Sequence, residues 1–269
     1  MMIWQLQRSA PRFAGLAAAA LTLAAFTARA SAQQNASAAT AAHSPVLIEL
    51  FTSEGCSDCP PADAVLEQLD AQQPVPGVQA IVLSQHVTYW NHQGWSDPFS
   101  LDIIDLHQEQ YVRHFSLPSP ATPQFVVDGT EQVAGNNPSV LTQEIARAAE
   151  ITKIAMQIAD AHLAADGSVD FTVKTDSGHK GTLVAAVAEN ATESQVARGE
   201  NAGRTLHYVA VVRAFKEFGS NSIDGRQLRL SGSDLQRAEK DGEPLRLVVF
   251  LYNPSNSQVL AVAQQTLSR

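Results

Sequence analysis

Two cysteines, Cys56 and Cys59, stand three positions apart, and the chain contains no other cysteine. They follow the apolar run 46–51, which is typical of a buried strand, and they precede a segment with the apolar spacing of a helix. Cysteines at this spacing, where a strand ends and a helix begins, can cycle between dithiol and disulfide with little backbone movement. The chemistry that these residues indicate is therefore thiol–disulfide exchange.

A purely structural role for this cysteine pair is the weaker interpretation. Structural disulfides normally join distant segments, whereas a bond from Cys56 to Cys59 would close a loop of only four residues. On the chain-entropy model so small a loop contributes about 2 kcal/mol to stability, against about 5 kcal/mol for a long one.

Residues 1–32 have the composition of a secretory signal peptide. Arg8 and Arg12 supply positive charge, residues 13–26 form a short apolar core, and small residues at 28–32 offer a cleavage site. This core is shorter than the roughly 20 residues needed to span a bilayer, so an uncleaved anchor is the less favoured alternative. We therefore expect an exported protein, periplasmic or secreted, in which a low-complexity tether at 33–43 precedes the fold.

The chain is acidic, with 18 Lys and Arg residues against 27 Asp and Glu residues and a net charge of −9. It has no basic cluster, and an acidic surface is repelled by phosphate backbones and by anionic headgroups. We therefore predict no nucleic-acid partner, and no membrane partner after signal cleavage. The sequence does not indicate an oligomeric state.

Strand and helix patterns alternate over residues 44–150, which predicts a sheet with crossover helices. Strands are predicted at 46–51 and 78–83 with a helix between them, and a second amphipathic helix follows. A hairpin is expected to turn at 128–129, because Asp-Gly between apolar runs is a strong turn signal. Asn137, followed by proline, is predicted to cap a third helix.

From about residue 151 the pattern changes to short strand-like runs, separated by Gly, Asn, Asp and Ser, with no convincing long helix between them. The runs are 169–173, 183–187, 207–215, 228–230, 245–252 and 259–262. This pattern predicts a smaller all-β, sandwich-like domain over 151–269.

The order of these elements resembles the thioredoxin superfamily: strand, Cys-x-x-Cys, helix, strand, helix, Thr-Pro, hairpin, helix. More narrowly, several blocks of sequence resemble a secreted thioredoxin-like bacterial family of unknown function, domain of unknown function 1223. The blocks are 51–63, 94–99, 122–124 and 199–206. The resemblance implies an α/β thioredoxin-like domain over 44–150, followed by the smaller all-β domain, and it supplies no established substrate.

The resemblance also implies roles for individual residues. Cys56 corresponds to the attacking thiolate, Cys59 to the resolving thiol, and Pro123 to a cis-proline facing the cysteines. An attacking thiolate forms a mixed disulfide, which a second thiol three residues on is well placed to release. A cis bond between Thr122 and Pro123 would present backbone edges to an extended substrate peptide.

The expected function is that of a thiol–disulfide oxidoreductase-like protein, acting on protein or small thiols and served by a redox partner, with no cofactor. The sequence does not indicate the direction of electron transfer, or whether the dithiol turns over as an enzyme would.

Two features depart from the thioredoxin pattern. Pro60 and Pro61 disfavour helix in the residue before each of them, so the helix is predicted to start at Asp58 or Cys59, which would leave Cys56 on a loop. Asp58 either caps the helix N-terminus or adds a negative charge that opposes thiolate formation and tends to raise the thiol pKa. A raised pKa favours a reductant or a modest isomerase over a strong oxidant.

Aromatic residues lie in the predicted loop 85–99. Trp90 and Trp95 could form an apolar wall beside the dithiol, and with Thr122 they are the candidate substrate-binding residues. Aromatic residues in a long loop more often pin it to the core, and pinning is the favoured interpretation. Glu54 is either a proton acceptor near Cys59 or a solvated turn residue, and the second reading is favoured.

Metal binding is one rival function. Cys56 and Cys59 with His86 or His92 could bind copper or zinc. The sequence has no second Cys-x-x-Cys and no closely spaced histidine pair to complete such a site, so we predict no resident metal.

A non-catalytic secreted binding protein is the other rival. In that case the β domain would bind the ligand, and Arg204, His207 and Arg213 would be the candidate residues. Arg204 could equally hold a loop onto the first domain.

Overall fold

The computed structural model describes residues 44–176, 180–219, 224–231, 235 and 244–267. The predicted signal peptide, 1–32, and the predicted tether, 33–43, lie outside the described residues. Within the described part of the chain there are three α-helices and eleven β-strands. None of the helices found there is long and apolar enough to cross a bilayer.

The helices are α1 (Pro60–Gln72), α2 (Asp102–His114) and α3 (Pro138–Ala149). The strands are β1 (Ser44–Thr52), β2 (Val78–His86), β3 (Gln124–Val127), β4 (Glu131–Ala134), β5 (Met156–Leu163), β6 (Val169–Thr175), β7 (Thr182–Gln195), β8 (Thr205–Phe218), β9 (Arg226–Leu230), β10 (Leu245–Tyr252) and β11 (Val259–Thr266). The helices and strands predicted before residue 150 are confirmed, including the cap of α3, where the Asn137 side chain accepts a hydrogen bond from the Val140 N–H. Strand β5 is additional to the predicted ones, and a register shift between Ala159 and His162 interrupts its pairing with β6.

One mixed sheet combines strands from both halves of the chain. Its order is β11-β10-β7-β8-β2-β1-β3-β4. Strands β1 and β2 are parallel over their whole length. The halves join where β2 runs parallel to β8, with Ser84 opposite Val211. The other neighbouring strands of this sheet are antiparallel.

A second, antiparallel sheet contains β5, β6 and β9 in that order. Its apolar residues share a core with Leu183, Ala185 and Val187 of β7. The intervening residues of β7, Val184, Ala186 and Ala188, belong to the main core, which also contains residues of β1, β2 and the helices. Strand β7 is therefore buried on both faces.

The predicted fold class is wrong. We expected a thioredoxin-like α/β domain followed by a separate all-β, sandwich-like domain, but the described chain is mostly β, and strands from after residue 151 extend the sheet that contains β1 and β2. An apolar run such as 183–188 indicates a buried strand without indicating which strands flank it. The same run suits the core of a separate sandwich and the centre of a larger sheet.

Candidate functional site

The cysteine pair lies in the connection between β1 and α1. Cys56 and Cys59 form a disulfide, and their Cα atoms are 5.4 Å apart. Helix α1 begins at Pro60 with Cys59 as its N-cap residue. Cys56 therefore lies on the preceding loop, as the two prolines predicted. The end of β1 that carries this loop is fully buried, which fixes its position against the core.

A segment between α2 and β3 meets the disulfide from another part of the chain. The Sγ atom of Cys56 lies 3.7 Å from the carbonyl oxygen of Thr122. The predicted cis bond between Thr122 and Pro123 is confirmed. Trp90 Nε1 donates a hydrogen bond to Thr122 Oγ1 at 2.8 Å. The structure thus brings together Cys56, Cys59, Thr122 and Pro123, the residues that the sequence analysis selected from two distant segments.

The two tryptophans anchor the loop that follows β2. Trp90 packs so closely against Gly55 that a Cβ atom at Gly55 would lie 3.0 Å from the Trp90 Cβ. Trp95 Nε1 donates a hydrogen bond to the Glu54 carboxylate. Both indoles therefore pin the loop beside the disulfide, as the favoured interpretation expected. Their contact with a substrate stays a prediction.

A cluster of buried titratable side chains lies around the dithiol loop, residues 53–59 between β1 and α1. Asp97 Oδ2 lies 2.7 Å from His86 Nδ1 and accepts a hydrogen bond from the Glu54 N–H at 2.8 Å. Burial disfavours the charged forms of His86 and Asp97. Their mutual attraction and hydrogen bond act against burial, helped at His86 by nearby carboxylates and at Asp97 by backbone N–H groups, so the pKa of His86 is raised and that of Asp97 is lowered. Each member of the pair therefore favours the charged form of the other.

Glu54 is fully buried, so its interpretation as a solvated turn residue is wrong. Burial raises the pKa of the Glu54 carboxyl, and the neighbouring Asp97 carboxylate raises it further. Hydrogen bonds from Trp95 and Ser194 act in the opposite direction.

Asp63 is a site residue that sequence reasoning missed. Its N–H donates to the Cys59 carbonyl oxygen at 3.1 Å, one helical turn into α1. Burial raises the pKa of the Asp63 carboxyl to about 7, although His86 and the Thr52 hydroxyl lower it. A carboxyl with this pKa exchanges a proton near neutral pH. The sequence signal that could have indicated the burial of Asp63 is its position three residues before Leu66, on the apolar face of the helix.

The second half of the chain reaches the site through the turn between β7 and β8. The amide nitrogen of Asn201 donates to the carbonyl oxygens of Glu54 and Cys56, both at 2.9 Å. Arg204 Nη1 donates to Asn201 Oδ1 at 2.8 Å. Asn201 lies in block 199–206, and sequence reasoning predicts no role for it. Arg204 does help to hold this turn on the dithiol loop, and it acts through Asn201.

The residues of the metal alternative do not assemble into a site. Nδ1 of His86 faces Asp97, and His92 is exposed in the loop after β2. Within the ranges that the structure describes, no group of three or more His, Cys, Asp and Glu residues is arranged to hold a metal ion.

The three candidate ligand-binding residues have separate surroundings. Arg213 is buried, with Nη1 3.6 Å from Glu189 Oε2. His207 is exposed beside Glu193 and lines an open groove of about 530 Å³. Arg204 belongs to the turn that contacts the dithiol loop. Their placement provides no common site for one ligand.

Comparison with known proteins places the chain in a family. The family model described as "Protein of unknown function (DUF1223)" matches residues 47–251. The chain belongs to this family. The predicted family is thus confirmed, whereas placement in the thioredoxin superfamily stays a prediction. No curated protein matches this DUF1223 chain.

Solved structures share the fold of the DUF1223 chain. Protein AGR_C_4864 from Agrobacterium tumefaciens is 22% identical, with a TM-score of 0.61, and the match covers 82% of this chain and 93% of that one. HBP35 of Porphyromonas gingivalis is 18% identical, with a TM-score of 0.55, and the match covers 84% of this chain and 76% of that one. At these identities the likeness concerns the fold alone.

The four sequence blocks that suggested the DUF1223 family meet around the disulfide. Block 51–63 carries the cysteines, block 94–99 supplies Trp95 and Asp97, block 122–124 supplies Thr122, and block 199–206 supplies Asn201. The structure therefore places these four segments at one site.

Proposed function

We propose that this protein is an exported thiol–disulfide exchange protein, with Cys56 as the attacking thiol and Cys59 as the resolving thiol. The observation that carries the proposal is the set of buried titratable groups beside a four-residue disulfide, among them Asp63, with a pKa of about 7, one helical turn beyond Cys59. Thiol–disulfide exchange proceeds through thiolates, so a nearby group that can take up and return a proton supports it, whereas a structural disulfide has no use for such a group.

In the reducing direction the Cys56 thiolate attacks one sulfur of a substrate disulfide. The substrate S–S bond breaks, a mixed disulfide forms, and one substrate thiolate leaves. The Cys59 thiolate then attacks the Cys56 sulfur, which releases the second substrate thiolate and forms the Cys56–Cys59 disulfide. Two electrons pass from the dithiol to the substrate, and the two thiol protons end on the substrate thiols. The reverse sequence oxidises a substrate dithiol.

The cycle requires a second thiol or disulfide that restores the starting state, so protein thiols or small thiols are the proposed substrates and redox partners. Thr122, Trp90 and Trp95 adjoin the disulfide loop and are the proposed substrate contacts. Export rests on the signal-like segment 1–32. A relation to the thioredoxin superfamily rests on the order of motifs alone.

The first test is the reduction potential of the Cys56–Cys59 couple. The mature protein, prepared free of metal, would be equilibrated with glutathione buffers, and its free thiols would be trapped and counted. A potential between about −270 and −120 mV would lie in the range of working thiol–disulfide exchangers and would indicate the direction of electron flow. A potential far below about −300 mV would mark a structural disulfide and would overturn the proposal.

Single-cysteine variants test the roles of the two sulfurs. With glutathione disulfide as the probe, C59S should accumulate a mixed disulfide at Cys56, because the resolving thiol is missing. C56S should form the corresponding adduct more slowly. Mass spectrometry of the trapped protein measures both, and faster modification of C56S would reverse the assignment.

A further inference from the structure

The two cysteines of the disulfide are buried in this structure. Cys56 is 1% exposed and Cys59 is 0% exposed, although Ser57 and Asp58 between them are exposed. A thiolate must reach a sulfur atom along the S–S axis to exchange with it. The proposed function therefore requires the dithiol loop to move.

Asn201 is buried within the stretch 197–204, whose other residues are exposed. It is 1% exposed, whereas its neighbours Glu200 and Ala202 are exposed. Its amide group donates to the carbonyl oxygens of Glu54 and Cys56, which lie on either side of Gly55. One side chain thus fixes the backbone on both sides of Gly55, in the loop that leads into the disulfide.

Other contacts of the same turn hold Asn201 in this position. Arg204 donates to Asn201 Oδ1 and orients the amide. Glu200 Oε2 accepts a hydrogen bond from the Ser57 N–H at 3.2 Å. Gly199 lies so close to Trp95 that a Cβ atom there would be 3.2 Å from the Trp95 Cβ. The turn is therefore fitted to the dithiol loop through a small number of polar contacts and one close approach.

We propose that Asn201 is a positioning residue that locks the dithiol loop in a closed conformation and so controls the access of thiols to the disulfide. This inference rests on the proposed function. While the lock is closed, the backbone around Cys56 holds its sulfur next to Cys59, which raises the effective concentration of one thiol at the other and favours the disulfide. Release of Asn201 frees the loop, so the disulfide is both easier to reach and easier to reduce.

The experiment compares the full mature protein with N201A by two measurements. The first is the rate of disulfide reduction by dithiothreitol, followed by thiol trapping, and the second is the equilibrium with glutathione. N201A loses two buried hydrogen bonds. Its disulfide should therefore be reduced about tenfold faster than that of the wild type, and its equilibrium constant with glutathione should shift about tenfold towards the dithiol. R198Q, at an exposed position of the same turn, is the matched control and should behave as the wild type.

A purely structural role for Asn201 predicts a different result. In that case N201A would destabilise the oxidised and reduced proteins equally, so thermal unfolding would shift while the equilibrium with glutathione stayed unchanged. Equal reduction rates and equal equilibria in N201A and the wild type would overturn the inference.

Two further variants keep the test decisive if N201A fails to fold. N201D preserves the shape but removes both amide donors, and R204Q weakens only the group that orients Asn201. Both variants should change the reduction rate and the glutathione equilibrium in the same direction as N201A does. The change in R204Q should be the smaller one. Wild-type values from both folded variants would reject the lock. A wild-type potential outside the working range would instead reject the proposed function, whatever the variants do.

Discussion

The surroundings of a side chain, more than its residue type, determine the chemistry of single residues around the disulfide. Asp63 and Asp97 are both aspartates near the dithiol loop, yet the pKa of Asp63 is raised to about 7 while that of Asp97 is lowered. Burial is the largest single cause at both, but at Asp97 the adjacent His86 and the N–H groups of Glu54 and Phe99 together outweigh it. Two identical side chains therefore have opposite tendencies to bind a proton.

The raised pKa of Asp63 predicts a pH dependence of stability. The folded protein binds this proton more tightly than the unfolded chain, so this carboxyl's contribution to the free energy of unfolding falls between about pH 4 and pH 7 and then levels off. D63N lacks this contribution, so the wild type should lose stability relative to D63N across that window, by at most about 4 kcal/mol. Urea unfolding of both proteins at several pH values measures the difference. A difference that stays constant with pH would contradict the assignment.

At the scale of elements, the turn between β3 and β4 joins two ends of the main sheet. Asp128 Oδ1 accepts from the Leu47 N–H at 2.9 Å, and Lys153 Nζ lies 2.6 Å from Asp128 Oδ2. The Asp128 carbonyl oxygen accepts from the Val259 N–H at 2.9 Å, where β11 begins. This buried turn therefore ties the β3–β4 hairpin to β1 and β11.

Gly129 should be the least replaceable residue of this turn. Its φ is +74°, and a Cβ atom there would lie 1.9 Å from the Ser257 carbonyl oxygen. G129A should therefore lower the free energy of unfolding by about 3 kcal/mol or more, since both backbone strain and a steric clash act against it.

Gly135 offers a matched control because its φ is +77° but nothing lies within 4 Å of a Cβ atom placed there. G135A should cost only the strain of a left-handed backbone, about 1–2 kcal/mol. Chemical denaturation of the two variants separates the clash from the strain. Equal losses would show that the contact with Ser257 is unimportant.

At the scale of the whole molecule, the two halves of the chain share a core as well as a sheet. Val184 and Phe250 of the second half lie in the same apolar cluster as Leu47 and Ile81 of the first half. Strand β2 has β8 as its neighbour on one side and β1 on the other. Neither half can bury its apolar surface without the other.

We therefore expect one cooperative unfolding transition for the mature protein. Differential scanning calorimetry should give a calorimetric enthalpy equal to the van't Hoff enthalpy. A fragment that ends at Glu150 should show no cooperative transition, because β2 would be left without β8 and part of the core would be exposed to water. Two separate transitions, or a fragment that melts cooperatively, would show that the halves are independent domains.

The elements that the sequence predicted correctly depend on interactions between near neighbours. The prolines after Cys59 predict a helix start at Asp58 or Cys59, next to the observed start at Pro60. Asn137 caps α3, and Asp128-Gly129 turns the β3–β4 hairpin. With two cysteines in the chain, the disulfide partners were also determined. Caps, turns and apolar periodicity operate over a few residues, so the local sequence is sufficient to predict them.

Only the tertiary structure decided which distant segments meet. The pairing of β2 with β8 joins the halves, and Asn201 reaches the carbonyl of Cys56 across 145 positions of sequence. The burial of Asp63 and Glu54, and hence their raised pKa values, follows from the same packing. An apolar strand or a polar side chain is compatible with many neighbours, and the choice among them depends on how all the apolar faces are buried at once.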